Sequence, residues 1–187
     1  KNTIQSLFKI FQWEDNAEIT LEVNPGTIDQ QTSINFQKMG INRISLGVQS
    51  FNTRELQMLG RIHTSQEILD AFHFIRSAGF DNVNFDLIFG LPGQTMQTWQ
   101  TSLQKALHLE PEHLSLYALT LEEDVPLAVK IRTGKLPEIN DDLCADMYLY
   151  ARELLASNGY LHYEISNWAK GGDEQDYRCR HNLQYWK

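Results

Sequence analysis

The segment NVNFDLIFG, residues 82–90, decides the fold class of this chain. Apolar and polar side chains alternate along it, so that Val83, Phe85 and Leu87 lie on one face. Asn84 and Asp86 lie on the other. This alternation is typical of a β-strand with one face in a hydrophobic core. The segment therefore predicts a strand whose second face carries an amide and a carboxylate.

Three other segments repeat this alternation, and helix-like segments separate the four. The strands are predicted over Glu18–Asn24, Asn42–Ser50, Asn82–Gly90 and His113–Thr120, and the helices from Thr27 to Gly40, from Thr64 or Ser65 to Gly79, and from Thr95 to before Pro111. Strands that alternate with helices at this spacing are typical of a parallel sheet with right-handed crossovers. The fold class is therefore α/β.

The polar face of this sheet points to a binding site. Parallel strands covered by helices on both faces are apolar on both faces, whereas all four predicted strands keep one polar face. A parallel sheet curled around a polar ligand is a full or partial barrel, with its chemistry at the carboxyl ends of the strands. Glu22, Gln49 and Asp86 come late in their strands and are candidates for such chemistry.

After Thr120 the pattern changes, so we divide the chain into residues 1–120, the barrel part, and residues 121–187, an α+β extension. We interpret residues 122–136 as irregular. The segments that follow are a helix capped by Asn140 and Asp141, a strand-like stretch over Tyr160–Ser166, and a loop from Asn167 onward.

Composition narrows the classes of function. The chain has 42% apolar residues, and 16 Lys and Arg against 24 Asp and Glu give it a net charge of −8. This composition excludes disorder as the main state and disfavours nucleic acid as a partner. No apolar stretch is long enough to span a membrane, no signal peptide is recognisable, and only two cysteines are present, so we predict a cytoplasmic protein. A start at Lys1 without Met indicates a piece of a longer chain.

Several motifs resemble one known family. The motifs are EITLEVNPGT (18–27), NRISLGVQSFN (42–52), LGRIH (59–63), NVNFDLIFGLPGQT (82–95) and HLSLYALT (113–120). Their order and spacing resemble the anaerobic coproporphyrinogen oxidase group of the radical S-adenosylmethionine (SAM) superfamily. The later motifs GYLHYEISNWAK (159–170) and CRHNLQYW (179–186) are similar to the haem-chaperone branch of that group. The resemblance implies an open six-stranded (β/α) barrel, with four of the six parallel strands present here.

The resemblance also implies a set of SAM contacts. The matching positions are Glu22, Gln49, Arg61, Asp86 and Thr120. Carboxylates suit the sulfonium and ammonium of SAM, Arg suits its carboxylate, and Gln or Asp suits its ribose hydroxyls. Two other interpretations stay open: Arg61 is a solvated loop charge, or Asp86 pairs with Arg43 or Arg61 as a structural ion pair.

The sequence contains only some of the residues that the family uses to bind its cofactors. Its CxxxCxYC motif, which binds a [4Fe-4S] cluster, is absent here and is expected upstream of Lys1. Cys144 and Cys179 cannot supply three thiolates, so we predict no metal site in this chain. For haem, the candidate ligands are His181 and Cys179, beside the aromatic residues Tyr185 and Trp186.

These implications give three hypotheses for function. The first is a haem chaperone that binds SAM and a cluster when full length, has no oxidase turnover, and passes haem to an acceptor apoprotein. The second is an oxygen-independent coproporphyrinogen III oxidase. The third is a (β/α) barrel enzyme for a polar metabolite without radical chemistry. We also expect that strand Glu18–Asn24 is an unpaired sheet edge that could support a dimer.

Overall fold

The computed structural model describes residues 6–7, 9–171 and 175–185. Its centre is a six-stranded sheet with the strand order β1-β2-β3-β4-β6-β5. The strands are β1 (Thr20–Val23), β2 (Arg43–Gln49), β3 (Val83–Phe89), β4 (His113–Ala118), β5 (Tyr160–Glu164) and β6 (Asn167–Lys170). Strands β1 to β4 pair in parallel with one another, which confirms the predicted α/β fold class.

Seven helices connect or follow these strands in the described residues. They are α1 (Gln30–Lys38), α2 (Thr53–Met58), α3 (Ser65–Ser77), α4 (Met96–His108), α5 (Pro126–Arg132), α6 (Asp141–Ser157) and α7 (Arg180–Gln184). The prediction that residues 122–136 are irregular is wrong, because α5 lies within them. Pro126 stands in the first turn of that helix, where its missing N–H costs nothing.

The helix boundaries follow their capping groups. Helix α3 begins after Thr64, as predicted, and a capping box of Thr64 and Glu67 fixes this start. The prediction that Thr27 begins the first helix is wrong, because Pro25–Thr27 forms a 3₁₀ turn. The side chain of Asp29 accepts a hydrogen bond from Thr32 N at 2.7 Å and begins α1 instead.

The prediction of a loop from Asn167 onward is also wrong. Strand β6 pairs antiparallel with both β4 and β5, so the C-terminal part of the chain extends the same sheet. Trp168 lies opposite Leu114 and is fully buried, and Asn167 lies opposite Ser115. Strand β6 has four residues and, unlike β1, is not part of a longer alternating segment of the sequence.

The two faces of the sheet differ as the alternation predicted. The apolar face packs against helices and includes Ile44, Leu46, Val83, Phe85, Leu87, Leu114 and Trp168. On this side Trp99 of α4 is fully buried, and its indole Nε1 donates to Met147 O of α6 at 3.0 Å. The opposite face carries the polar side chains of β1 to β4, and the candidate site lies there.

Strand β1 is an edge of the sheet in the described part of the chain, because it pairs only with β2. The expected edge position is therefore confirmed, whereas dimerisation through it stays a prediction. None of the helices between residues 6 and 185 that the structure describes is long and apolar enough to cross a membrane.

Candidate functional site

Three residues in the middle of the polar face form a hydrogen-bonded group, which we call the central triad: Ser45, Asn84 and Asp86. Ser45 Oγ donates to Asp86 Oδ2 at 2.7 Å, and Asn84 Nδ2 donates to Asp86 Oδ1 at 2.9 Å. Burial raises the pKa of Asp86, although both hydrogen bonds lower it in part. No cation of the described chain lies within 4 Å of Asp86, so the structure does not form the ion pair with Arg43 or Arg61.

At the carboxyl ends of the strands, Asn24, Gln49 and Arg61 form what we call the carboxyl-end cluster. Arg61 Nη1 donates to Asn24 Oδ1 at 3.3 Å. Gln49 is buried and has a φ of 65°, which is rare for a residue with a side chain and costs about 1 kcal/mol. Backbone strain of this kind is concentrated at binding sites.

Gly47 has no side chain, which leaves room for the two amide groups of the carboxyl-end cluster. A Cβ at Gly47 would lie 2.9 Å from Gln49 Nε2 and 3.3 Å from Asn24 Oδ1. The two amides therefore lie directly over the Gly47 backbone, at the end of β2. A side chain at this position would displace them, so the glycine shapes the polar surface.

Carboxylates give the polar face a negative field. The pKa of Tyr117 is raised mainly by burial, and the charges of Asp86, Glu164 and Glu22 raise it further. Glu164 was not among the predicted site residues. Its Oε2 accepts from Ser166 N at 2.9 Å, which places it at the turn before β6. The field of these three carboxylates favours a cationic ligand.

The predicted SAM contacts thus do not all lie in one cluster. Arg61 donates to Asn24, and Gln49 lies over Gly47 beside Asn24. Asp86 belongs to the central triad, and Glu22 shares the field around Tyr117. Thr120 is exposed and lies beyond the end of β4.

At the amino ends of the strands, His113, Tyr163 and Cys179 form what we call the amino-end cluster. Asn84 Oδ1 lies 2.6 Å from His113 Nδ1, and Tyr163 Oη lies 2.7 Å from His113 Nε2. Because an amide oxygen only accepts, His113 Nδ1 carries the proton and Nε2 accepts from the Tyr163 hydroxyl. Tyr163 Oη then accepts from Cys179 N at 3.1 Å. These hydrogen bonds link the central triad to the C-terminal segment of the protein.

Burial keeps this cluster neutral. It lowers the pKa of His113 well below its usual value and raises the pKa of Tyr163 to about 12. Beside them Arg43 is only 3% exposed, and its Nη1 donates to Thr20 Oγ1 at 3.4 Å. Neither His113 nor Tyr163 was predicted from the sequence as a site residue, because the two come together only when β5 docks beside β6.

The two candidate haem ligands have different surroundings. Cys179 is buried, and burial raises the pKa of its thiol. His181 is exposed and lines a cavity of about 510 Å³ with Trp13, Glu18, Arg180 and Gln184. Its ring meets the ring of Tyr185 edge-on, at 5.2 Å between centroids. Trp186 lies outside the described residues.

The described side chains do not fit an iron–sulfur cluster. In residues 6–7, 9–171 and 175–185, no three His, Cys, Asp or Glu side chains lie close enough to hold a metal ion. Cys144 lies beside Gly90, whereas Cys179 lies beside Tyr163 at the other end of the strands. The chemistry of the polar face instead fits a small polar cation.

Comparison with known proteins shows the superfamily of this chain. The model of the radical SAM superfamily matches residues 3–106. The chain belongs to the radical SAM superfamily.

Several curated proteins are similar to this radical SAM chain. The heme chaperone HemW of Haemophilus influenzae is 41% identical over 184 residues, which is 98% of this chain and 46% of that protein. HemW of Escherichia coli is 41% identical over 172 residues, covering 92% and 43%. A mitochondrial radical S-adenosyl methionine domain-containing protein 1 of Danio rerio is 36% identical over 184 residues, covering 98% and 40%. The chain spans less than half the length of these relatives.

Solved structures show the same fold. Coproporphyrinogen III oxidase (HemN) from Escherichia coli superposes with a TM-score of 0.82 and is 28% identical, over 92% of this chain and 40% of that chain. Elp3 from Methanocaldococcus infernus superposes with a TM-score of 0.66 at 19% identity, over 73% and 33%. The partial barrel fold is therefore shared with larger radical SAM proteins.

Proposed function

We propose that the polar face of β1 to β4 is one half of a SAM site. The observation that carries this proposal is the convergence of Gln49, Arg61 and Asn24 at one end of the sheet, next to the Asp86 carboxylate. Membership of the radical SAM superfamily supplies the identity of the ligand. It also argues against the third hypothesis, a barrel enzyme outside this superfamily.

Each side chain has a distinct task in this proposal. The guanidinium of Arg61 holds the carboxylate of SAM, for which its paired N–H groups are suited. Asp86 and Gln49 offer oxygens to the ribose hydroxyls, and Ser45 and Asn84 fix the orientation of the Asp86 carboxylate. Glu22 contributes to the negative field that favours the ammonium and sulfonium. Thr120 would complete the set from the end of β4.

For the whole protein, we propose a haem chaperone that binds SAM and a [4Fe-4S] cluster and passes haem to an acceptor apoprotein. The support is the 41% identity to proteins named heme chaperone HemW, extending over nearly all of this chain. The described side chains provide no cluster ligands, so those must come from another part of the protein. Sequencing the full-length protein tests this, because absence of CxxxCxYC upstream would overturn the proposal.

The second candidate function is an oxygen-independent coproporphyrinogen III oxidase, favoured by the structural similarity to HemN. Anaerobic turnover separates the two candidates. We expect the reconstituted full-length protein to transfer haem to an apoprotein without converting coproporphyrinogen III. Formation of protoporphyrinogen at a catalytic rate, dependent on SAM and a reductant, would overturn the chaperone proposal.

For haem, we propose His181 as a ligand in preference to Cys179. His181 is exposed on a cavity, whereas the buried Cys179 stays a protonated thiol, which is not the form that binds iron. We expect His181→Ala to weaken haem binding to the full-length protein at least tenfold in a Soret titration. His73→Ala, at another exposed histidine, is the matched control. Equal haem affinity of the two variants would contradict the assignment.

A further inference from the structure

Glu55 is a buried carboxylate outside the proposed contact set. It lies in the first turn of α2 and is 4% exposed. No cation of the described chain lies within 4 Å of it. A buried carboxylate is costly unless hydrogen bonds compensate for its lost hydration. The partners of Glu55 therefore indicate why the chain keeps a carboxyl group there.

Those partners come from two different loops. Ser50 Oγ donates to Glu55 Oε2 at 2.5 Å, and Gln94 Nε2 donates to the same oxygen at 3.1 Å. Ser50 directly follows Gln49 at the end of β2, and Gln94 lies between β3 and α4. Gln94 Oε1 in turn accepts from Leu91 N at 3.2 Å. One carboxylate oxygen thus joins the loops that follow two neighbouring strands of the site.

The first of these loops needs such support. Gln49 has a left-handed backbone conformation, and the pairing of β2 with β3 shifts register between Leu46 and Gln49. An unfavourable conformation persists only where the surroundings hold it. Ser102 Oγ accepts from Phe51 N at 3.3 Å, so the loop is held on both sides of Ser50. These bonds hold the two residues that directly follow Gln49.

We propose that Glu55 is a positioning residue for the SAM-binding face, which holds Gln49 in place and fixes the β3–α4 loop through Gln94. The proposal rests on the proposed SAM contact of Gln49. Glu55 itself acts from behind the loop, through the Ser50 hydroxyl, and has no contact with the polar face in this role.

The test uses full-length protein with its cluster reconstituted. Glu55→Gln removes the charge and keeps the shape, and we expect SAM affinity to fall roughly tenfold. The double variant Glu55→Gln with Gln94→Glu returns a carboxylate–amide pair to the same place and should recover most of the affinity. The control is Glu112→Gln. Glu112 accepts from Arg76 Nη2 and Val83 N at the amino end of the sheet, so its loss should lower stability and leave SAM affinity unchanged.

A double-mutant cycle separates positioning from general destabilisation. If Glu55 acts through Gln49, then Glu55→Gln should cause no further loss of SAM affinity in a Gln49→Ala background. Additive losses, or a lower melting temperature with unchanged SAM affinity in the single variant, would overturn the inference.

A failure of the proposed function gives a different result. In that case the wild-type full-length protein does not bind SAM at all. Amide hydrogen exchange then tests the positioning role of Glu55 without any measurement of SAM binding. Glu55→Gln should speed exchange in residues 50–52 and 91–94 together, and unchanged exchange in either loop would overturn it.

Discussion

The carboxyl-end and amino-end clusters lie on the same face of one sheet but use their polar groups differently. In the carboxyl-end cluster, the hydrogen bond between Arg61 and Asn24 is long, at 3.3 Å, and Gln49 has a strained backbone. In the amino-end cluster, both ring nitrogens of His113 have partners within 2.7 Å. One end thus keeps hydrogen-bonding capacity for a ligand, and the other uses it to fasten the chain to itself.

This difference indicates which polar residues of a barrel face can be assigned to ligand binding. Buried polar groups that satisfy each other stabilise the fold, whereas groups with weak internal bonds and backbone strain are suited to a ligand. The central triad lies between the two clusters. Its Asn84 donates to Asp86 within the triad and accepts from His113 of the amino-end cluster.

The largest effect is expected at Asp86. In the full-length protein, Asp86→Asn should weaken SAM binding roughly tenfold to a hundredfold, equivalent to about 1.4 to 2.7 kcal/mol. The reason is loss of the negative charge that the central triad orients toward the ligand. Equilibrium titration with SAM measures it, and Asp70→Asn on the surface of α3 is the control.

The same variant should keep or raise the melting temperature. Burial raises the pKa of Asp86 in the folded state above its ordinary value, so ionisation at higher pH disfavours the folded state. Any gain in stability should therefore be present at neutral pH and disappear as the pH falls below the ordinary pKa of about 3.9. A large fall in melting temperature with unchanged SAM affinity would instead make Asp86 a structural group.

A second prediction concerns the amino-end cluster. Tyr163→Phe removes the donor to His113 and the acceptor for Cys179 N, so the free energy of unfolding should fall by about 2 kcal/mol. Chemical denaturation measures this, and amide exchange should rise in residues 177–185. SAM affinity should change by less than about twofold, since the carboxyl-end cluster is untouched. A large loss of SAM affinity would show that the two clusters are coupled.

Stability should also depend on pH through His113. Its folded-state pKa lies well below the usual value, so as the pH falls below about 6.5 the unfolded state binds a proton first. Stability from this group is therefore complete above that pH and is lost below it, by up to about 1.4 kcal/mol per pH unit. The variant His113→Gln should be less stable than the wild type at pH 7. Its free energy of unfolding should fall less steeply with decreasing pH, because protonation of His113 no longer contributes. An unchanged slope between pH 7 and pH 5 would mean that other groups cause it.

A smaller effect is expected at Gly47. In Gly47→Ala, the new Cβ would lie 2.9 Å from Gln49 Nε2, so the amide must move and SAM affinity should fall about fivefold. The melting temperature should change little, because the displaced group is the end of a side chain. Gly26→Ala is the control, since nothing lies closer than 3.7 Å to its Cβ. Equal SAM affinity of both variants would remove Gln49 from the site.

The smallest effect is expected at Cys179. Cys179→Ser keeps the backbone N–H that Tyr163 accepts, so haem affinity should stay within about twofold of wild type. Unfolding free energy should fall by about 1 kcal/mol because a buried thiol becomes a hydroxyl. A Soret titration beside His181→Ala compares the two residues directly. Loss of haem binding in the serine variant would make the thiol a ligand after all.

Sequence reasoning reached the fold of β1 to β4 because each lies in an alternating segment of seven to nine residues. The two faces it assigned at Asn84 and Asp86 are those of the structure. It missed β6 and α5, since four to seven residues carry too little periodicity to be recognised. Contacts across the chain were also out of reach. Tyr163 is 50 residues from His113 in sequence, and only the docking of β5 brings them together.

The position of β6 between β4 and β5 sets the order in which this sheet can be assembled. Strands β2, β3 and β4 each pair with the strand synthesised just before them, so they can join the sheet as the chain leaves the ribosome. The last two strands cannot follow that order, because β6 is synthesised after β5 but lies beside β4. A β5–β6 hairpin that turns at residues 165–166 needs only local contacts, so we expect it to form by itself and to dock on β4 as one unit. In that order Trp168 would leave water only when the hairpin docks.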